Sequence, residues 1–545
     1  MKSNILTKNF SSYIFLLTSV YASSLIIYLT YDVMLAPDFT KYITYFDYYS
    51  GLQDGTNLEQ GNLFFYLHYA FFIFISSISN LSNETVINLS VNLTNSLVFF
   101  TGMIGLYKYF YEKRFNKGNI LIVLSALCFF PVTWKLRLTL KPELFAFLLL
   151  SWILYFINSD KKNSNLLKAS ILAALLVNTK SSIAVMGVLF IFFELIFTNR
   201  QIIRKKNIFY LLVFCILSGI LLVDNYVRND IFISNVVHEE KYNNKADVEF
   251  FTTIHPELFR NNPGKIFHND SFFGIILYDT FTDYFGNYWN SEYSELNLER
   301  KEFLIFTDLK NKEKIPSINY SKDLRTFYIK ASFEKFDIKD ATINNLRKYY
   351  SLIASVIFFI LTLFFSIYKP KYRVVLLSPF IGIVILAISS LGVFGNNFDP
   401  IEGDSVKSFY YGFYLLISFP TLLLLIIDKF KLPKKALTSL LIIFFLFQFG
   451  FPHSYGTINQ NAIQSKNAVL PLCEFNFLTI DKVFGFDTKM DCSPEIINKY
   501  KYLTDLPQTN YQFVSNRIPY FSFLLLLLSF TGSRRIFAKI EKRRV

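Results

Sequence analysis

The sequence predicts an all-α polytopic membrane protein: about twelve transmembrane helices, interfacial helices in the first external loop, and a larger external loop at 225–348. Three observations predict it. Of the 545 residues, 52% are hydrophobic and only 18% are charged, whereas a typical soluble domain carries roughly 25% charge. The apolar residues come in runs near the roughly 20 residues that cross a hydrocarbon core. The connectors between these runs alternate between short basic and longer polar sequence.

Taken in order, the runs place spans near 12–31, 86–110, 119–132, 143–159, 167–180, 182–198, 208–224, 349–368, 374–394, 408–427, 436–451 and 518–532. The first is long, and its A-S-S is followed by further apolar residues, so it reads as an uncleaved helix rather than a removed signal. Leu63–Ile78 is apolar but short. Counting it as a span would invert the side of the next basic connector, so it reads as an interfacial helix on the outer leaflet.

The connectors E-K-R-F-N-K-G at 112–118, D-K-K-N-S-N at 160–165, N-R-Q-I-I-R-K-K-N at 199–207, K-P-K-Y-R at 369–373 and D-K-F-K-L-P-K-K at 428–435 are basic, as is the tail R-R-I-F-A-K-I-E-K-R-R-V. The positive-inside rule makes them cytoplasmic. The stretches 31–85, 133–142, 225–348, 395–407 and 452–517 then face outward, with a short break around Lys180. Three parts follow: a transmembrane module at 1–224 with an acidic first loop, an external loop or small domain at 225–348, and a second transmembrane module at 349–545. The 63 Phe and 35 Tyr suit a lipid-facing surface with interfacial aromatics.

The formal net charge of +14 sits mostly in the short connectors, so it reports membrane orientation and not a nucleic-acid partner. No G-x-x-x-x-G-K-[ST] is present to cradle a nucleotide. The five histidines form no H-E-x-x-H and pair with no cysteine, which speaks against zinc. Cys128 and Cys215 fall in predicted spans and read as packing residues, while Cys473 and Cys492 share one outer loop and are a disulfide candidate if that loop is periplasmic.

The candidate chemistry lies at the outer edge. Asp38 follows Pro37 among tyrosines, with Asp32 and Asp47 nearby; any of the three is either a solvated loop carboxylate or part of a site, and Asp38 is the preferred one. Glu143 opens a helix behind Pro142, where it either complements the positive helix end or acts as a second acid. Lys135, Arg137, Lys141, Lys180, Arg228 and Lys407 gather outside, against the general bias. They either snorkel to the interface or form a site for a lipid phosphate. Such a set suits one reaction, in which a carboxylate deprotonates an acceptor hydroxyl and cations stabilise a phosphate leaving from an anomeric carbon.

Several stretches resemble the GT-C superfamily of integral membrane glycosyltransferases, which includes protein mannosyltransferases and the aminoarabinose transferases of lipid A. P-D-F-T-K-Y at 37–42 is similar to its acidic-aromatic motif, with Phe39 in place of the second acid and Tyr42 as the aromatic. N-L-F-F-Y-L-H-Y-A-F-F-I-F at 62–74 resembles its interfacial helix, and R-L-T-L-K-P-E-L-F-A-F-L-L-L at 137–150 its second acidic motif. A-A-L-L-V-N-T-K at 173–180 resembles a lysine-ending stretch of bacterial members. D-S-V-K-S-F-Y-Y-G-F-Y-L-L-I-S-F-P at 404–420 resembles the Arg-Tyr entry to a late helix, with Lys407 or Tyr410 in that role.

The resemblance implies a polyprenyl-phosphate-linked sugar donor, a glycan, lipid or protein acceptor, Asp38 as base, and an active site on the periplasmic face of a bacterial inner membrane. It implies no obligatory cofactor; a divalent cation, if used, would sit at Asp38 and Asp47. Two other classes share the architecture. A polysaccharide polymerase or ligase would use arginines of the large loop, where Arg228, Arg260, Arg300, Arg325 and Arg347 lie. A flippase or transporter would show paired broken helices and midplane charges, neither of which the sequence displays.

Overall fold

A computed structural model describes residues 15–16, 18–20, 22–24, 62–81, 83–137, 141–159, 164–198, 207–229, 246, 248–252, 272–281, 342–391 and 406–431. The expected spans at 436–451 and 518–532, the outer loop at 452–517 with Cys473 and Cys492, and Asp32, Asp38, Tyr42 and Asp47 lie outside the described residues.

The described residues contain no β-strand. Their helices are α1 (Asn62–Ile78), α2 (Asn83–Glu112), α3 (Lys117–Leu127), α4 (Pro131–Arg137), α5 (Glu143–Asn158), α6 (Ser164–Val177), α7 (Ser181–Phe193), α8 (Asn207–Asn229), α9 (Val248–Thr252), α10 (Phe272–Asp279), α11 (Thr342–Tyr368), α12 (Arg373–Ser390) and α13 (Ser408–Phe430). By length and composition three of the described segments can cross a membrane: Thr85–Glu112, Pro370–Ser390 and Ser408–Phe430. The bent pair α3 and α4 makes a fourth. Six further apolar helical stretches of 10–17 residues are present, two of them parts of the longer helices α8 and α11, and the expected count of about twelve is not tested by the described residues.

The expected span at 119–132 is where the structure departs most from a straight helix. The chain breaks between Leu127 and Pro131, and the two halves meet at 62°. Pro131 cannot donate a backbone hydrogen bond, and it opens α4, where no such bond is needed. The Leu127 carbonyl at the break accepts from the Thr133 hydroxyl at 2.7 Å and the Phe130 N–H at 3.2 Å. In an apolar surrounding that satisfaction is what makes a break tolerable. At its other end α3 is capped by Asn116, whose side-chain oxygen accepts from Gly118 and Asn119, after a turn that puts Arg114 at φ 66°.

The core is built around α13. Its apolar window is 83% buried, against 61% and 50% for the windows of α2 and α12, so it runs through the centre of the described bundle. It packs against α12, α5, α4 and α3. Phe130 stacks on Phe419 at 4.4 Å, and Phe281 meets both edge-on. The described parts of the 225–348 stretch join this core: Ala246, Phe250, Phe272, Ile275, Ile276 and Phe281 are all buried in it. Apolar side chains such as Leu211 (58% exposed), Ile216 (71%) and Ile367 (74%) point outward from α8 and α11. On a membrane protein such a surface faces lipid.

The helices α2 and α5 pack closely against each other. A Cβ at Gly102 would stand 2.6 Å from the Phe147 ring and 3.2 Å from the Leu148 backbone. Only a hydrogen fits there, which is how small residues let apolar helices approach without a solvent-driven force. Gly102→Val is expected to destabilise the fold by about 1–3 kcal/mol through overpacking, read as a lower melting temperature in detergent.

The two ends of this bundle differ in kind. At one end Lys113 donates to Asn158, Asn158 donates to Glu194, and the turn carrying Lys369 and Lys371 closes over them. This end collects the connectors 112–118 and 369–373, which the sequence places on one side. The other end brings together residues from 135–143, 180, 279 and 407–410.

Candidate functional site

At that second end, α5, α7 and α13 all begin: Glu143, Ser181 and Ser408 are their first residues. Three helix N-termini direct partial positive charge there, and four lysines with one arginine add full charges. Local sequence explains the geometry. Pro142 is the cap of α5 and leaves Glu143 in the first turn, fully buried. Lys180 caps α7 in an extended conformation, φ −165°, which turns its side chain toward α5.

Glu143 and Lys180 form an ion pair, Nζ to Oε1 at 3.1 Å, with side chains 1% and 12% exposed. The second oxygen, Oε2, has no hydrogen-bond partner among the described residues. Lys180 also stands 5.2 Å from the centre of the Tyr410 ring. Lys141 faces the same ring at 5.6 Å and that of Phe409 at 4.5 Å. Four candidates read from sequence, Glu143, Lys141, Lys180 and Tyr410, therefore share one cluster. Lys407 caps α13 one turn away, and its carbonyl accepts from the Tyr410 N–H at 3.1 Å.

Arg137 is fully buried at the end of α4. Its Nη2 donates to the hydroxyls of Ser23 and Ser96 at 2.9 and 3.0 Å. Its guanidinium lies 4.9 Å from the Phe99 ring. Nε and Nη1 have no hydrogen-bond partner among the described residues, so the group retains donors to offer. Asn95 holds the local backbone by donating to the Arg137 carbonyl at 2.9 Å, and Asn95 itself lies 3.5 Å from the buried His68 on α1.

Lys135 occupies a different place. Its Nζ is 2.6 Å from Asp279 Oδ1, 2.8 Å from the Asp279 carbonyl and 3.1 Å from Ser408 Oγ, all buried. Asp279 in turn accepts from the Ser408 N–H at 2.6 Å, and its carbonyl accepts from the Ser408 hydroxyl at 2.9 Å. This node ties α4, α10 and the start of α13 together. Sequence reasoning missed Asp279; its one signal is that a carboxylate ends the apolar run F-F-G-I-I-L-Y-D at 272–279. Arg228 lies in the last turn of α8, with its side chain outside the described residues.

Among the described residues no group of three His, Cys, Asp or Glu side chains comes together to hold a metal ion. Cys128 is buried and Cys215 exposed, both as free thiols.

No protein-family profile matches the sequence, and no curated protein matches it. Among solved structures, the crystal structure of ArnT from Cupriavidus metallidurans bound to undecaprenyl phosphate is similar at a TM-score of 0.43 and 10% identity, covering 96% of this chain and 77% of that one. At a TM-score below 0.5, no property of that protein carries over to this chain.

Proposed function

We propose that this chain is a membrane glycosyltransferase that moves a sugar from a polyprenyl-phosphate-linked donor to an acceptor at the outer face of a bacterial inner membrane. The observation that carries the reading is the convergence of Glu143, Lys180, Lys141 and Tyr410, from three elements far apart in sequence, at the end opposite the basic connectors. Arg137, buried beside α2 with donors to spare, adds a fifth group of the kind that binds phosphate.

The chemistry follows from charge. Asp38 takes the proton of the acceptor hydroxyl, and that oxygen attacks the anomeric carbon from the face opposite the phosphate. The bond from the anomeric carbon to the phosphate oxygen breaks, its electron pair stays on the phosphate, and the anomeric configuration inverts. Lys141, Lys180 and Arg137 meet the phosphate charge, and three helix N-termini add to the field. Glu143 orients Lys180. Arg228 and Lys407 stand as further phosphate ligands and Tyr42 as a sugar-stacking ring. Lys135 acts one step removed, by fixing α4 and the start of α13.

The test is mass spectrometry of surface glycans from a strain lacking this chain, complemented with wild type or with Asp38→Asn. One sugar should disappear on deletion and return with wild type but not with the variant, with both proteins present in the membrane. An unchanged glycan profile on deletion would overturn the assignment.

A further inference from the structure

The end opposite the candidate site holds a second concentration of charge. A pocket of about 250 Å³ opens between the α2–α3 connector, the turn before α12 and the last turns of α13. Lys113, Arg114, Lys369 and Lys371 line it, against one carboxylate, Asp428. Buried Tyr372 and half-buried Phe115 form its floor, ring centres 5.6 Å apart.

A positive-inside bias accounts for basic residues in these connectors, but not for their convergence on one concavity. Two connectors far apart in the chain, at 113–114 and 369–371, bring four cations to one wall, and Arg114 does so from a left-handed backbone, φ 66°. Arg114, Lys369 and Lys371 make no ion pair or side-chain hydrogen bond among the described residues. Lys113 donates to Asn158 at 2.6 Å and so cannot swing away. Burial and the neighbouring Lys371 push its ammonium pKa down to about 8, although Glu194 opposes them. Like charges held together at a pocket mouth lower their energy by taking up an anion.

We infer that this pocket binds a phosphate-class anion at the membrane surface, through Lys113, Arg114, Lys369 and Lys371. Two sources supply that chemistry: the headgroup of an anionic phospholipid, whose glycerol and chains would continue along the apolar outer faces of α11, or a soluble phosphate. The site is independent of the sugar-transfer reading, because it lies at the other end of the bundle.

The test is thermal unfolding of the full chain in a neutral detergent, with dioctanoyl phosphatidylglycerol, dioctanoyl phosphatidylcholine or inorganic phosphate added. Phosphatidylglycerol should raise the melting temperature by about 2–4 °C, as a ligand of the folded state does at concentrations well above its dissociation constant. Phosphatidylcholine should not, and 0.5 M NaCl should weaken the effect. A shift with inorganic phosphate alone would equally support the anion site and assign it to a soluble ligand. Lys369→Gln/Lys371→Gln should lose most of the shift, whereas Lys429→Gln, at a lysine nearby that does not line the pocket, should keep it. Equal shifts with both lipids, no shift with any probe, or a full shift in the double variant would overturn the proposal.

Discussion

Lys180→Met is expected to lower the rate of sugar transfer by about 10²- to 10³-fold, the loss typical of removing one preorganised group that stabilises developing charge. The side chain stands between Glu143 and the Tyr410 ring, so its removal has two consequences that must be separated. It deletes a phosphate ligand, and it leaves a carboxylate buried without its cation. The second effect costs about 3–5 kcal/mol of stability. Glu143→Gln/Lys180→Met removes both charges and should recover most of that stability while remaining inactive. Lys180→Arg should retain part of the activity. The check is transfer from a polyprenyl-phosphate monosaccharide by purified protein, alongside unfolding of the same samples. Full activity in Lys180→Met would mean that the lysine serves only to neutralise Glu143.

Asp279→Asn is expected to destabilise the protein by about 3–5 kcal/mol, because it removes the carboxylate charge 2.6 Å from the buried Lys135 ammonium. Lys135 and Asp279 are each 2% exposed and 2.6 Å apart, so solvent gives little compensation. Lys135→Met/Asp279→Leu should regain much of the loss, since an apolar pair of similar volume fills the site without two desolvated charges. The single and double variants together isolate the coupling between the two residues. Denaturant unfolding in detergent reads it. A loss below about 1 kcal/mol in Asp279→Asn would place the pair in a better-solvated setting than its burial indicates.

The helices were largely legible because hydropathy is a local property. The runs at 143–159, 182–198 and 408–427 match Glu143–Asn158, Ser181–Thr198 and Ser408–Phe430 to within a few residues. The break in the 119–132 run was signalled by Pro131, but its angle was not. That angle depends on what α4 packs against, and α13 lies there. The burial of pieces of the 225–348 stretch was also illegible, since short apolar runs such as F-F-G-I-I-L are too brief to read as spans.

The candidate site divides in the same way. Glu143, Lys141, Lys180 and Tyr410 could be named as charges and rings at apolar boundaries. Nothing in the sequence distinguished Lys180, which meets a carboxylate 37 residues away, from Lys135, which meets one 144 residues away.

What the sequence by itself determined is which segments are helical and apolar, and that the connectors 112–118 and 369–373 belong to the same end. Both follow from the free energy of placing each side chain and peptide in a low-dielectric slab, a sum over neighbours in the chain. Which charges become partners was decided only by the tertiary structure. The cost of burying an ion is offset by an opposite charge a few ångströms away, and that distance exists only once the helices have packed.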